Sequence, residues 1–248
     1  MSRVVLITGA SRGIGAVTAT LAASRGYHVG VNYRANRAAA EAVVSGIREA
    51  GGTAVAISGD VAVEADVLRM FADCEQALGP LTDLVNNAGV VDIKARVDEM
   101  SAARLQRMFA VNVFGTMLCA REAVKRMSTR HGGRGGVIVN VSSVAARIGS
   151  PGEYVDYAAA KGAVDVFTIG LAKEVASEGI RVNAVRPGIV RTEIHASGGQ
   201  PDRLDRIAPL VPMLRPGEPE EIAGAILWLL SAEASYTSGA LLDVSGAR

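Results

Sequence analysis

The chain has 248 residues, 49% hydrophobic and 21% charged, with 26 Lys plus Arg against 25 Asp plus Glu and a net charge of +1. That balance excludes a disordered, collagenous or coiled-coil chain, and the lack of a basic run removes the electrostatic footprint of a nucleic-acid binder. α/β chains of about 250 residues routinely fold as one unit and bury roughly 70–75% of their unfolded surface, so a single domain over residues 1–248 is expected.

Short β-branched runs alternate with longer helical stripes, the pattern of a parallel sheet covered by helices. The first strand is expected at Val4–Thr8. Its apolar run is too short for the h-region of a signal peptide. It leads into Thr8-Gly9-Ala10-Ser11-Arg12-Gly13-Ile14-Gly15 and an Ala-rich helix, so glycines fall where the backbone must turn sharply and come close to a ligand. Glycine permits positive φ and removes a blocking Cβ, while the free N–H groups of the helix start attract negative charge. A diphosphate fits there. The spacing is G-x3-G-x-G rather than G-x-G-x-x-G, and an ordinary tight turn is the alternative.

Further strands are expected at Tyr27–Asn32, Thr53–Ser58, Asp83–Asn86, Val137–Val141, Arg181–Val185 and Ala240–Asp243. Between them, Val67, Met70, Phe71, Cys74 and Leu78 recur at three and four, as do Val164, Phe167, Leu171 and Val175, which puts each set on one helical face. Cys74 thus reads as a core residue. Cys74 and Cys119 match neither a disulfide framework nor a metal-ligand spacing, so a reducing cytoplasm is the expected compartment. His28 and His131 have no ligand companions, and no catalytic metal is expected.

Five of the eight prolines lie between Pro187 and Pro216, in a stretch with Gly198-Gly199 and little periodicity. Residues 189–216 are read as a lid over the substrate. His195 within it is either a substrate contact or a plain loop residue. Ile222 to Leu230 is apolar nearly all round but nine residues long, where a membrane span needs about 20. Such a helix is either an oligomer contact or buried within its own chain.

Three more motifs stand at expected element ends. Asn86-Asn87-Ala88-Gly89 closes the fourth strand, Ser142-Ser143 closes the fifth, and Tyr157-Ala158-Ala159-Ala160-Lys161 opens a helix. Together with Thr8-Gly9, Asn112 and Pro187-Gly188, they make the chain resemble the short-chain dehydrogenase/reductase family over essentially its whole length. Within that family it is similar to the branch of glucose 1-dehydrogenases, 3-oxoacyl-carrier-protein reductases and unassigned oxidoreductases. The resemblance implies a single-domain Rossmann fold, a doubly wound seven-stranded parallel sheet with helices on both faces.

The chemistry follows from the residues themselves. Tyr157 and Lys161 are four apart on a helix and share one face, and a cation beside a phenol favours phenolate. Moving a tyrosine pKa from about 10 to near 7 needs about 4 kcal/mol. A unit charge about 4 Å away at an effective dielectric near 20 supplies about that much. Tyr157 can thus act as acid and base. Ser143, at the carboxyl end of a strand, can donate a hydrogen bond to a substrate oxygen. Ser142 is its rival, and the family motif favours the second serine. Asn112, early in the helix that follows, positions by resemblance a water that relays protons toward Lys161.

The same resemblance implies a nicotinamide cofactor held by Gly9, Ser11, Arg12, Gly13, Ile14 and Gly15, by Asp60 and Val61 after the third strand, and by Asn87, Ala88 and Gly89. Tyr157, Lys161, Pro187, Gly188, Ile189 and Thr192 complete that set. NAD-specific relatives place a carboxylate at the end of the second strand. Here Tyr33 stands in that position and Arg34 follows it, with Arg12 in the glycine loop. Two guanidinium groups suit a 2′-phosphate, so NADP is the expected cofactor and NAD the other candidate. The expected function is hydride transfer between nicotinamide and a small-molecule alcohol or carbonyl, with no nucleic-acid or membrane partner. The resemblance also implies a homotetramer paired through the helices that carry Asn112 and Tyr157. The alternative is a catalytically silent dinucleotide sensor or scaffold on the same fold.

Overall fold

The computed structural model describes residues 2–200 and 202–248, the side chains of His195 and Ser197 excepted. Seven strands form one sheet: β1 (Val4–Ile7), β2 (His28–Tyr33), β3 (Thr53–Ser58), β4 (Asp83–Asn86), β5 (Gly136–Val141), β6 (Ile180–Pro187) and β7 (Leu241–Val244). Their order is β3-β2-β1-β4-β5-β6-β7, and all pairings are parallel. The connecting helices are α1 (Gly13–Ser24), α2 (Arg37–Glu49), α3 (Glu64–Leu78), α4 (Ala102–Phe109), α5 (Gly115–Met127), α6 (Ala145–Ile148), α7 (Val155–Val175), α8 (Ile194–Ser197), α9 (Arg203–Ile207) and α10 (Pro219–Leu230).

A parallel sheet buried on both faces needs strands that are apolar throughout, and all four residues of β1 are buried. Val5 and Ile7 point into one core with Ala19 and Ala22 of α1, Val44 and Ile47 of α2, and Ile222 and Ile226 of α10. Val4 and Leu6 point into the other with Val67, Met70, Phe71 and Cys74 of α3, Cys119 of α5, and Val175 of α7. Helices therefore cover both faces. The strand order reverses between β1 and β4, and the carboxyl ends on either side of that reversal open the crevice where such sheets take ligands.

β6 is longer than expected, because Arg186 and Pro187 continue the ladder against Asp243 and Val244 of β7. Pro187 is tolerated as the strand's last residue, where its missing N–H breaks no interior pairing. α10 buries Ile222, Ala223, Ile226, Leu227, Leu229 and Leu230 against its own chain. Its apolar circumference therefore needs no second copy, and only Trp228 of its large apolar side chains is exposed. Asn112 is not early in a helix. It sits mid-way along a helical run from Ala102 to Met127, in a π-helical turn spanning Ala110–Phe114. Among the described residues no helix is long and apolar enough to cross a membrane.

Residues 189–216 are not one irregular loop, since they contain α8, α9 and a 3-10 turn at Ala208–Leu210. The segment's ends are joined: Val190 bridges Gly217, with Arg191 N–H donating to Gly217 O at 2.9 Å and Gly217 N–H to Ile189 O at 2.8 Å. Ile189, Leu204, Ile207 and Val211 pack as a small core of their own.

Candidate active site

The turn from β1 to α1 is built on glycines. Gly9 and Gly13 have φ of +62° and +55°, a region side chains avoid. A Cβ at Gly9 would stand 2.9 Å from Ala88 Cα, and one at Gly15 would overlap Asn87 Nδ2 and stand 2.7 Å from Gly9 O. α1 starts without a capping side chain or an acidic residue in its first turn. Its first N–H groups are thus left for an anion.

Amides pin this turn to the neighbouring strands. Asn87 Nδ2 donates to the Thr8 and Gly9 carbonyls at 2.8 and 3.0 Å. Asn32, buried in β2, accepts from Gly9 N–H at 3.0 Å and donates to Ile57 O and Gly59 O at 3.2 and 3.1 Å. Sequence reasoning missed Asn32. Its signal is a lone amide in the otherwise apolar run Val29-Gly30-Val31, which a doubly buried strand tolerates only if the amide is bonded.

A groove of about 440 Å³ follows the turn. It is lined by Gly9, Ser11, Arg12, Gly13 and Ile14, by Tyr33 and Arg34, by Asp60 and Val61, by Asn87, Ala88 and Gly89, and by Thr192. Gly15 lies beneath it as a packing position. Arg34 is exposed and stands 3.7 Å from the Asp60 carboxylate. A second cavity, of about 540 Å³, shares Ile14, Asn87, Gly89 and Thr192 with the groove and adds Ser143, Tyr157, Lys161, Pro187, Gly188 and Ile189. The backbone glycines, the uncapped helix start and the length of the joined spaces fit a dinucleotide.

In the second cavity Ser143 stands beside the Tyr157 phenol, close enough to pull its pKa down, and its Oγ accepts from Ala145 N–H at 3.1 Å. Ser142 Oγ instead donates to Lys161 O at 3.2 Å. Lys161 Nζ donates to Val141 O at 2.8 Å and lies 5.6 Å from the Tyr157 ring centroid. Burial pushes the phenol up to about 12, against a smaller downward pull from Ser143. Burial brings the ammonium down to about 8, against an upward pull from Asp165. The Lys161 charge therefore does not hold Tyr157 as phenolate in the protein alone.

Asn112 is fully buried behind the cavity. Its Nδ2 donates to Val90 O and Met108 O at 3.0 and 2.9 Å, and its Oδ1 accepts from Val90 N–H at 3.2 Å. A methyl at Gly89 would stand 2.9 Å from that Oδ1 and 3.5 Å from Lys161 Nζ, so both groups face the same glycine. The Tyr157 end of α7 is held by a buried ion pair, Arg104 to Asp156 at 2.8 and 3.1 Å. Residues 189–216 add Ile194, Arg203 and Ile207 to the cavity wall. The side chain of His195 lies outside the described residues.

The family model described as enoyl-(acyl carrier protein) reductase matches residues 9–246. The chain is 53% identical over 245 residues to the uncharacterized oxidoreductase YgfF of Escherichia coli (strain K12), covering 99% of each. It is 36% identical over 244 residues to glucose 1-dehydrogenase 2 of Bacillus subtilis (strain 168), covering 98% of this chain and 93% of that one. A short-chain dehydrogenase/reductase from Serratia marcescens BCRC 10948 superposes with a TM-score of 0.90 at 34% identity, over 99% of this chain and 97% of that one. A glycine cradle, a serine beside a tyrosine and a lysine one turn on thus lie within a full-length match, and the chain belongs to the short-chain dehydrogenase/reductase family of oxidoreductases.

Proposed function

We propose that the protein interconverts an alcohol and its carbonyl with a nicotinamide cofactor, NADP in preference to NAD, and that Tyr157 is the acid and base. The observation that carries this reading is one cavity in which Ser143, Tyr157 and Lys161 stand together and which opens into the glycine-lined groove. The cofactor, when bound, supplies or accepts the hydride. Ser143 donates to the substrate oxygen and stabilises the charge that develops on it. Tyr157 gives its proton to that oxygen in reduction and takes it back in oxidation. Lys161 holds the nicotinamide ribose hydroxyls and raises the phenol's acidity, and Asn112 orders the water that links Lys161 to solvent.

The segment 189–216 acts as the substrate lid, and its joined ends and private core suit a unit that moves as one body. The protein works in the cytoplasm as a homotetramer. Phe114 and Val166 are 59% and 72% exposed on the packed π turn and α7, an apolar surface that association would cover. Light scattering at micromolar concentration tests this, and a stable monomer refutes it. For the reaction, a broad carbonyl and alcohol screen with NADPH and NADP⁺ should find turnover that Tyr157→Phe lowers at least about 10²-fold while cofactor binding survives. Unchanged turnover in that variant sinks the mechanism.

A further inference from the structure

The cavity carries a cation whose hydrogen bonds are not all spent. Arg203 of α9 lines it with a side chain 11% exposed. The guanidinium lies over Tyr154, 5.0 Å from the ring centroid, and Nη1 stands 2.8 Å from Glu153 Oε2. That contact is an ion pair without hydrogen-bond alignment, and Nη1 is buried with no hydrogen-bond acceptor among the described residues. The nearby Tyr154 hydroxyl is engaged by the Gln200 side chain and by Gly198 O. A buried guanidinium proton without an acceptor is unfavourable, and a ligand oxygen placed there would relieve it.

The surrounding charge decides which oxygen. Glu153 faces Arg203 and, at 3.9 Å, Arg206, while Arg206 also faces Asp202 at 3.8 Å. Two cations thus meet two carboxylates, so this corner of the cavity, away from Lys161, carries no surplus positive charge of its own to draw an anion. The neighbouring wall is apolar, made by Val91, Val144, Ile189 and Ile207. Resting on the oxidoreductase reading above, we propose that Arg203 determines specificity by receiving a neutral acceptor oxygen of the substrate, a hydroxyl or ether separate from the reacting carbon, with an apolar body between the two.

The test compares benzylacetone with its ring-hydroxylated and ring-methoxylated counterparts at the ortho, meta and para positions. In the wild type the best oxygenated ketone should exceed benzylacetone by about tenfold or more in kcat/KM, because its analogue leaves the donor unpaired. Arg203→Leu should bring that ratio to within about twofold of one. Arg203→Lys, which keeps the charge but moves the donor, should lower it too and serves where the leucine variant does not fold. Glu153→Gln breaks the ion pair yet keeps Nη1, so the ratio should persist. A wild-type ratio near one overturns the proposal, as does a ratio that survives both Arg203 variants. If Glu153→Gln abolishes the ratio as Arg203→Leu does, the pair only latches the lid and the proposal is wrong. Absence of turnover on this whole ketone series overturns this proposal, and absence across the broad carbonyl and alcohol screen overturns the oxidoreductase reading with it, whereas turnover without the ratio overturns this one alone.

Discussion

Lys161 donates its hydrogen bond to the Val141 carbonyl at 2.8 Å and not to Tyr157, whose ring centroid is 5.6 Å from the ammonium. The lysine is therefore a neighbouring charge and not a hydrogen-bond donor to the phenol. With the phenol pushed up to about 12 by burial, bringing it near neutrality needs about 7 kcal/mol at 1.36 kcal/mol per unit. One charge at an effective dielectric near 20 supplies about 4 kcal/mol at 4 Å, so Lys161 alone falls short and the positive charge of an oxidised nicotinamide, when bound, would have to supply the rest.

The sign of the pH dependence follows. Oxidation needs the phenolate and reduction needs the phenol, so kcat/KM for alcohol oxidation should rise with pH while that for carbonyl reduction falls. Without cofactor, no tyrosine should be lost from the titration below about pH 10 when Tyr157→Phe is compared with wild type by phenolate absorbance. A tyrosine that titrates near neutrality in the cofactor-free protein would contradict the burial argument.

Lys161→Ala removes both a charge near the phenol and the group assigned to the ribose hydroxyls. Its kcat should fall at least about 10²-fold, and its cofactor Kd should weaken by about tenfold or more, the loss of one charged hydrogen bond. A change in kcat with cofactor affinity intact would leave Lys161 with only the electrostatic role.

The sheet can be read from sequence because both its faces are buried, which forces apolar runs such as Val4-Val5-Leu6-Ile7 and Val137-Ile138-Val139. Polar residues that interrupt such runs carry the part that is harder to read. Asn32 holds the glycine turn, and Asn140 accepts from Asn86 Nδ2 at 2.9 Å while donating to Thr168 at 2.8 Å. Both are visible as lone amides, but their partners come from other strands and helices. The π turn around Asn112 has no period of its own in the sequence. Arg203 was hidden for a further reason: its partners Glu153 and Tyr154 lie about 50 residues earlier in the chain and meet it only in the folded structure.

Gly15→Ala should be costly although alanine is the better helix former. The added methyl would overlap Asn87 Nδ2 and crowd Gly9 O at 2.7 Å, so Asn87 must release the Thr8 and Gly9 carbonyls that shape the cradle. Overpacking of this kind costs about 1–3 kcal/mol, and thermal melts should show a lowered Tm together with weaker cofactor binding. A Tm at or above wild type would mean that the turn yields without loss.

At the opposite end of the sheet, Asp83 is fully buried beside Arg3, with the side chains in contact and a second bond from Arg3 Nε at 3.0 Å. Burial outweighs that pairing and raises the carboxyl from 3.8 to about 6. The folded state thus holds a proton that the unfolded chain gives up between about pH 4 and 6. This contribution is fully present below about pH 4 and is lost as pH rises past about 6. The Tm of wild type minus that of Asp83→Asn should therefore increase as pH is lowered from 7 to 4.5. A difference that stays flat or shrinks would show that Arg3 keeps Asp83 ionised throughout.

Cofactor choice turns on the end of β2. Tyr33 fills the last position of the strand, 9% exposed, and brings no carboxylate. Arg34 and Arg12 both line the groove beyond it, and Asp60 stands 3.7 Å from Arg34. That ion pair, with Arg34 exposed and Asp60 half-buried, is reached by solvent and at 3.7 Å is worth about 0–1 kcal/mol. A 2′-phosphate, with about −1.5 to −2 charge and several acceptor oxygens, is the stronger partner for a guanidinium and should displace Asp60 from it. NADP should therefore be preferred more than tenfold in kcat/KM, and Arg12→Ala with Arg34→Ala should erase most of that preference without comparable loss with NAD. Asp60→Asn, by removing the competitor for Arg34, should leave the NADP preference at least as large as in wild type. Equal or better efficiency with NAD in the wild type would mean that the Arg34–Asp60 pair closes on itself, so that the missing carboxylate relaxes the site without turning it toward phosphate.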